Sequence, residues 1–321
     1  MKFLITIDTE ADNQWKHGID LTTKNIEYVP RFQVLCTKYD IKPTYLVTSE
    51  ICENIYAKRI FTEYSNMGQA EIGAHLHSWT TPPFLDNDGY RYNDHNHAFA
   101  TEMPDNLLKE KLTNLTEQIK TSFGKQPVSF RSGRYGFNEK VAHQLIEIGY
   151  KVDSSVTPFS NWQSYKGIPG GIGGPDFMNS SNFPYTIANT SGSILEVPVT
   201  ILPTKWPLSY NHELARSFFR KVEDSFILKV IRKLMLANQP LWLRPYKFSK
   251  IELFTQIVNE AKRLKLPFLV MMFHSSELMP GGSPYWANEK EIEILYRLLE
   301  EFFLFLQDNN IEFITLNETI K

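Results

Sequence analysis

The sequence predicts an α/β fold, a distorted (β/α) barrel with seven to eight parallel strands, and three observations predict it. Apolar, β-rich runs alternate with amphipathic helical stretches almost throughout, the order that gives a parallel sheet covered by helices. Runs such as 266–273 are apolar on successive residues, as in a strand buried on both faces. Nine such runs in 321 residues suit a barrel better than an open sheet.

The apolar runs fall near residues 2–8, 43–48, 71–77, 127–131, 151–155, 194–200, 241–246, 267–274 and 311–316. Amphipathic stretches near 24–40, 50–67, 105–122, 138–149, 211–237, 249–264 and 287–308 separate many of them. The last carries Ile292, Leu295, Leu298, Leu299, Phe302 and Phe303 at helical spacing. No internal repeat or low-complexity linker interrupts the pattern, so residues 1–321 read as one domain. Two segments read as long loops, 79–104 with Pro82-Pro83 and Asn87-Asp88-Gly89, and 156–193 with Pro169-Gly170-Gly171 and Gly173-Gly174-Pro175. Loops of this length are uncommon unless functional or disordered. The second also holds Phe159, Trp162, Tyr165, Phe177, Phe183 and Tyr185. Those aromatics suit either an ordered wall over a ligand or a loop that tucks its rings into the core.

Composition narrows the function classes. With 42% hydrophobic and 22% charged residues and a net charge of −2, the chain has a soluble globular balance and no basic field for nucleic acid. No apolar stretch reaches the roughly 18 residues a spanning helix needs. The run after Met1 is too short for a signal peptide, so a cytoplasmic location is expected. Cys36 and Cys52, both in helix-like stretches, read as buried free thiols. Nothing in the composition calls for a protein partner.

Polar residues collect directly after the apolar runs, where a barrel places its active site. In the run Glu71-Ile-Gly-Ala-His75-Leu-His77, the alternation of a strand turns both histidines to one face. Two imidazoles so placed bind a divalent metal when a carboxylate is near, and Asp8 or Glu10 could supply it. Asp8 and Glu10 suit a division of labour, one on the metal and one taking a proton, although Asp8 could instead cap the following helix. Arg131 needs a carboxylate, either Asp8 or Asp153, as a site residue or as a structural ion pair. His274 could be a general acid or a neutral core histidine. Glu196 and Arg244 divide evenly between a site pair and an architectural one. His95 and His97, in a polar loop, read as solvated.

Taken in order, these segments resemble the polysaccharide deacetylases of the NodB-homology group, barrels with five short motifs at the mouth. The motifs correspond to Ile5-Thr-Ile-Asp-Thr-Glu10, Glu71-Ile-Gly-Ala-His-Leu-His77, Phe130-Arg-Ser-Gly-Arg-Tyr-Gly136, Asp153-Ser154 and Met272-Phe-His274. The stretches Ala74-His-Leu-His-Ser-Trp-Thr-Thr-Pro-Pro83 and His274-Ser-Ser-Glu-Leu-Met-Pro-Gly-Gly-Ser-Pro284 look closest to the WalW-like branch of surface-glycan and lipopolysaccharide biosynthesis. The resemblance implies removal of an N-acetyl group from an amino sugar of a glycan or glycan precursor. It implies Glu10, His75 and His77 as ligands of a divalent metal, with zinc expected, and Asp8 as general base. It further implies Arg131 orienting Asp8, the backbone N–H of Tyr135 at the oxyanion, Asp153 holding the network and His274 protonating the amine. Trp79, Arg134, Trp162, Glu196 and Arg244 are the residues expected to touch the sugar.

Three positions depart from the family pattern. The second histidine normally stands four residues after the first, where this chain has Trp79. The first motif has Asp8-Thr9-Glu10 in place of adjacent aspartates. The third has one extra residue before Tyr135 and lacks its usual proline. Two other readings therefore stand beside the first: a silent glycan-binding barrel without metal, and a glycoside hydrolase using paired carboxylates such as Asp8 and Glu196.

Overall fold

The computed structural model describes residues 1–14, 20–85, 90–168, 170–224 and 239–320. Its strands are β1 (Lys2–Thr9), β2 (Thr44–Val47), β3 (Glu71–Leu76), β4 (Ser129–Ser132), β5 (Val152–Asp153) and β6 (Tyr185–Asn189). They continue with β7 (Gly192–Glu196), β8 (Ile201–Leu202), β9 (Leu241–Trp242), β10 (Phe268–His274) and β11 (Glu312–Phe313). The main sheet runs β10-β1-β2-β3-β4-β5-β7-β6, with β11 beside β1. Every pairing in it is parallel except the β6–β7 hairpin, so eight strands are joined in parallel, as the alternation predicts.

β1 is an inner strand of this sheet, all its residues after Lys2 being buried between a strand on each side. The sheet curls into a half-barrel that closes through scattered bonds in place of a ladder. The Thr200 N–H donates to the Val270 carbonyl (3.2 Å), and the Leu243 N–H to the Thr200 carbonyl (2.9 Å). The run at 241–246, expected as a barrel strand, instead forms an antiparallel ribbon with β8. That ribbon lies against β10, the Met272 N–H donating to the Leu243 carbonyl at 3.4 Å.

The helices are α1 (Val29–Lys38), α2 (Ser49–Glu53), α3 (Ile55–Asn66), α4 (Asp105–Phe123), α5 (Glu139–Ile148), α6 (His212–Asp224), α7 (Ile251–Leu264) and α8 (Glu289–Asp308). The expected helix at 50–67 is two, because Asn54 leaves helical geometry and caps α3, its side chain accepting from the Ala57 N–H at 2.8 Å. In α8 the predicted apolar stripe is buried, and Phe302 meets Phe3 of β1 edge to face at 5.7 Å. Each such buried ring contributes about 1.5–3 kcal/mol. Of the expected helix 211–237, residues 225–237 lie outside the described residues, as do Asn87-Asp88-Gly89 and Pro169. β6 was expected as loop. Its residues alternate between half-buried (Tyr185, Ile187, Asn189) and exposed with none fully buried, and among the described residues it pairs with β7. Cys36 and Cys52 are buried free thiols, and no helix among the described residues is long and apolar enough to cross a membrane.

Candidate active site

The C-terminal ends of β1, β3, β4 and β10 bring four of the five motifs to one cavity of about 460 Å³. Register does this directly, since Asp8 pairs with His274 across β1–β10 and His75 with Arg131 across β3–β4. Glu10, one residue beyond β1, is held in place through its backbone. Its carbonyl accepts from Asn25 Nδ2 at 2.7 Å, and its N–H donates to Ser275 Oγ at 3.2 Å.

Glu10, His75 and His77 offer ligand atoms that all lie within 4.8 Å of one another, and all three are buried. Glu10 Oε2 is 3.5 Å from His75 Nε2 and 3.1 Å from His77 Nε2. The His75 Nδ1 is 3.0 Å from the Arg131 carbonyl, which can only accept, so it fixes the proton there and leaves Nε2 with a lone pair toward Glu10. Burial favours the neutral, ligand form of His77 and outweighs its attraction to Glu10. His75 goes the other way, since burial is overcome by Asp8 and Glu10, which raise its pKa. Burial opposes charge on Glu10, yet His77, His274 and His75 together hold it well below the usual carboxylate range. This set of two imidazoles and one anionic carboxylate fits a divalent metal with a position left open, a donor set typical of catalytic zinc.

His77 reaches the cluster because two neighbours shape its surroundings. Trp79 stacks on its ring at 4.2 Å and 24°, and the Arg134 guanidinium covers Trp79 at 5.2 Å. Gly133 makes the close approach possible, since a Cβ there would stand 2.5 Å from His77 Cδ2 and 2.6 Å from the Leu76 carbonyl. The turn that follows holds Arg134 and Tyr135 at φ +49° and +58°, left-handed backbone that costs a non-glycine residue of order 1 kcal/mol or more.

Asp8 sits beside this cluster, its Oδ2 3.9 Å from both His75 Nε2 and His274 Nε2. Its Oδ1 accepts from Arg131 Nη1 at 2.6 Å. Arg131 is wholly enclosed and also donates to Thr6 Oγ1, to the Ser154 carbonyl and to Ser154 Oγ. Burial pushes the Asp8 pKa up, but Arg131, then His75 and His274, bring it below its ordinary value. Of the two partners open to Arg131 in the sequence, Asp8 is the one in contact.

Asp153 and Glu196 lie elsewhere. Both are fully enclosed and share a side-chain hydrogen bond; Asp153 accepts from the Ser155 N–H and hydroxyl, and Glu196 from the Val156 N–H. Burial, with their mutual repulsion, raises the pKa of Glu196 well above normal, and burial raises that of Asp153. The expectation that Glu196 touches a sugar is therefore corrected. It does not line the cavity, because it is packed against Asp153 below it, which also removes the carboxylate pairing of Asp8 with Glu196 across a substrate. Asp153 likewise does not line the cavity.

Trp79, Arg134, Trp162 and Arg244 do line it, with Phe99, Tyr135, Tyr165, Trp242, Tyr246 and Tyr285. Trp162 stacks on Tyr135 at 5.1 Å and meets Trp242 edge-on at 6.2 Å. The second long segment is thus partly wall and partly core: Trp162 and Tyr165 face the cavity, while Phe159 and Phe177 are buried. Sequence reasoning missed Trp242, Tyr246 and Tyr285. The alternation Trp242-Leu-Arg244-Pro-Tyr246 was the available signal, three large polar-tipped groups on one side of an apolar run.

No family model matches the chain, and no curated protein matches it. Among solved structures it is similar to one from Mycobacterium smegmatis described as a candidate polysaccharide deacetylase, with 16% identity, a TM-score of 0.55, and coverage of 99% of this chain and 89% of that one. It is also similar to the allantoinase PuuE (14% identity, TM-score 0.51, 99% and 87% covered). A third is a 4-alpha-glucanotransferase from Thermococcus litoralis (12%, 0.55, 100% and 40%). At these identities the likeness is one of fold, a curled parallel (β/α) half-barrel.

Proposed function

We propose that the chain is a metal-dependent hydrolase that removes an N-acetyl group from an amino sugar, within the NodB-homology deacetylases and nearest their WalW-like branch. The observation that carries this is the Glu10, His75 and His77 cluster set beside an Arg131-bound Asp8 at one end of an aromatic-walled cavity. The candidate deacetylase from Mycobacterium smegmatis, with the same fold over nearly the whole chain, supports it. On this reading residues 1–321 form one catalytic domain acting in the cytoplasm on a lipid-linked or nucleotide-linked precursor of a surface glycan.

Glu10 Oε2, His75 Nε2 and His77 Nε2 would hold the ion, zinc by its donor set, and when bound it supplies Lewis acidity to the amide carbonyl and to a water. Asp8 Oδ2, kept ionised by Arg131, takes a proton from the attacking water. His274 Nε2 gives a proton to the departing amine, leaving acetate and a free amino sugar. The Tyr135 N–H, in its left-handed turn, donates to the developing oxyanion. Trp162 and Trp242 stack on sugar faces, and Arg134 and Arg244 border the polar edge.

The test is acetate release from N-acetylated amino-sugar oligosaccharides and nucleotide sugars. Release that stops with a chelator, returns with a divalent ion and falls at least about 100-fold in Asp8→Asn is expected, since acid–base groups contribute about 10²–10⁴-fold. Activity that survives the chelator would exclude the reading.

A further inference from the structure

His274 ends β10, and the chain folds at once into a tight 3-10 turn, Ser275–Leu278. The turn brings Glu277 back over the residue three before it. Glu277 Oε1 accepts from the His274 backbone N–H at 3.0 Å and from Arg244 Nη2 at 2.6 Å, and lies 3.0 Å from His274 Nδ1. Glu277 is fully enclosed and Arg244 is nearly so, with its guanidinium against the rings of Tyr246 and Tyr285 at 5.2 and 5.3 Å.

We propose that Glu277, with Arg244 as its counter-ion, is the positioning residue of His274, keeping a proton on Nδ1 so that Nε2 is the nitrogen turned toward Asp8 and the cavity. The proposal rests on the reading of His274 as proton donor given above. Asp153, which the family resemblance would assign to this network, is taken up by Ser155 and Glu196 instead.

Arg244 Nη2 also lies 3.0 Å from His274 Nδ1, and a guanidinium only donates. If Nδ1 accepted that N–H, its lone pair would face the carboxylate Oε1 at 3.0 Å with no proton between them. With the proton on Nδ1, Oε1 accepts three N–H groups. Arg244 and His274 overcome burial and lower the Glu277 pKa, so the acceptor is ionised. A histidine held this way presents one nitrogen reproducibly, as orienting partners do for catalytic and metal-bound imidazoles.

The test is nitrogen-15 NMR of histidine-labelled, metal-free protein at mildly alkaline pH, with His274 assigned by its loss in His274→Gln. The wild type is expected to carry its proton on Nδ1, and Arg244→Lys to keep it there. In Glu277→Leu no carboxylate remains to accept from Nδ1, Arg244 Nη2 can donate to it, and the proton is expected to move to Nε2. The Nδ1–H of His75, bonded to the Arg131 carbonyl, serves as the internal sign that the site is folded. A His274 proton on Nε2 in the wild type overturns the proposal by itself, whether or not any variant folds. So does a proton remaining on Nδ1 in Glu277→Leu with His75 unchanged. If acetate release is found, Glu277→Leu lowers kcat about 10- to 100-fold at unchanged metal content. Absence of acetate release in the wild type would sink the deacetylase reading and leave the tautomer result standing.

Discussion

Gly133 is a residue whose role the sequence hides. It reads as one glycine in a turn, yet its missing Cβ is what lets His77 lie against the chain of the third motif. Gly133→Ala is expected to destabilise by about 1–3 kcal/mol through overpacking and to weaken metal binding, checked by denaturant unfolding and metal titration. Asp8, Glu10, His75, His77, Arg131 and His274 were legible because each ends an apolar run, where strand geometry fixes its direction. Glu196 ends the strand β7 and was misread as a substrate contact. Nothing in a sequence says whether a strand-end carboxylate opens on the cavity or, as here, packs beneath it against Asp153. Its raised pKa gives a signed prediction. The folded state holds a proton that the unfolded chain releases above the ordinary glutamate value of about 4.3. The stabilisation is therefore present at low pH and is lost as pH rises through the raised folded value. Glu196→Gln removes that loss, so its melting temperature should gain on the wild type between pH 5 and pH 8. Parallel curves would contradict it.

At the scale of elements, long helices with a regular apolar stripe were legible to within a residue or two, α4 and α8 among them. Short elements were less so: β6 lies inside a segment that reads as loop, and the run that holds β9 reads as a barrel strand but pairs antiparallel with β8. The two long segments were legible as loops but not as partners. Glu102, in the first, accepts from the Ile168 N–H at 2.9 Å and from the Gly173 N–H at 3.3 Å in the second. It thereby pins the segment that carries Trp162 and Tyr165 over the cavity. Bonds to a charged acceptor are worth about 1.5–3 kcal/mol, so Glu102→Ala should speed amide exchange at these two positions about 10- to 100-fold. Unchanged exchange there would mean that the wall stands without the anchor. Lys111 does the same for the turn after His77, donating to the carbonyls of Ser78, Thr81 and Pro83 from inside α4. The sequence's trace of it was a lysine set among Leu107, Leu108, Leu112 and Leu115 on the apolar stripe.

At the scale of the molecule, the alternation of runs and helices foretold the parallel sheet but not how it closes, which depends on single bonds at Thr200 and Leu243. The sheet's curl sets the ends of β1, β3, β4 and β10 around one mouth, and function follows from what those ends carry. Trp79 is where that account is most exposed. It occupies the usual place of the second histidine, and the structure answers by stacking it behind His77, whose Nε2 turns to Glu10. The central claim is that Glu10, His75 and His77 hold a divalent ion. Elemental analysis of the purified protein, repeated on His75→Ala and His77→Ala, tests it most directly. One equivalent in the wild type and its loss in both variants is the predicted result. A wild type without metal, or full retention of the ion by His77→Ala, would contradict it.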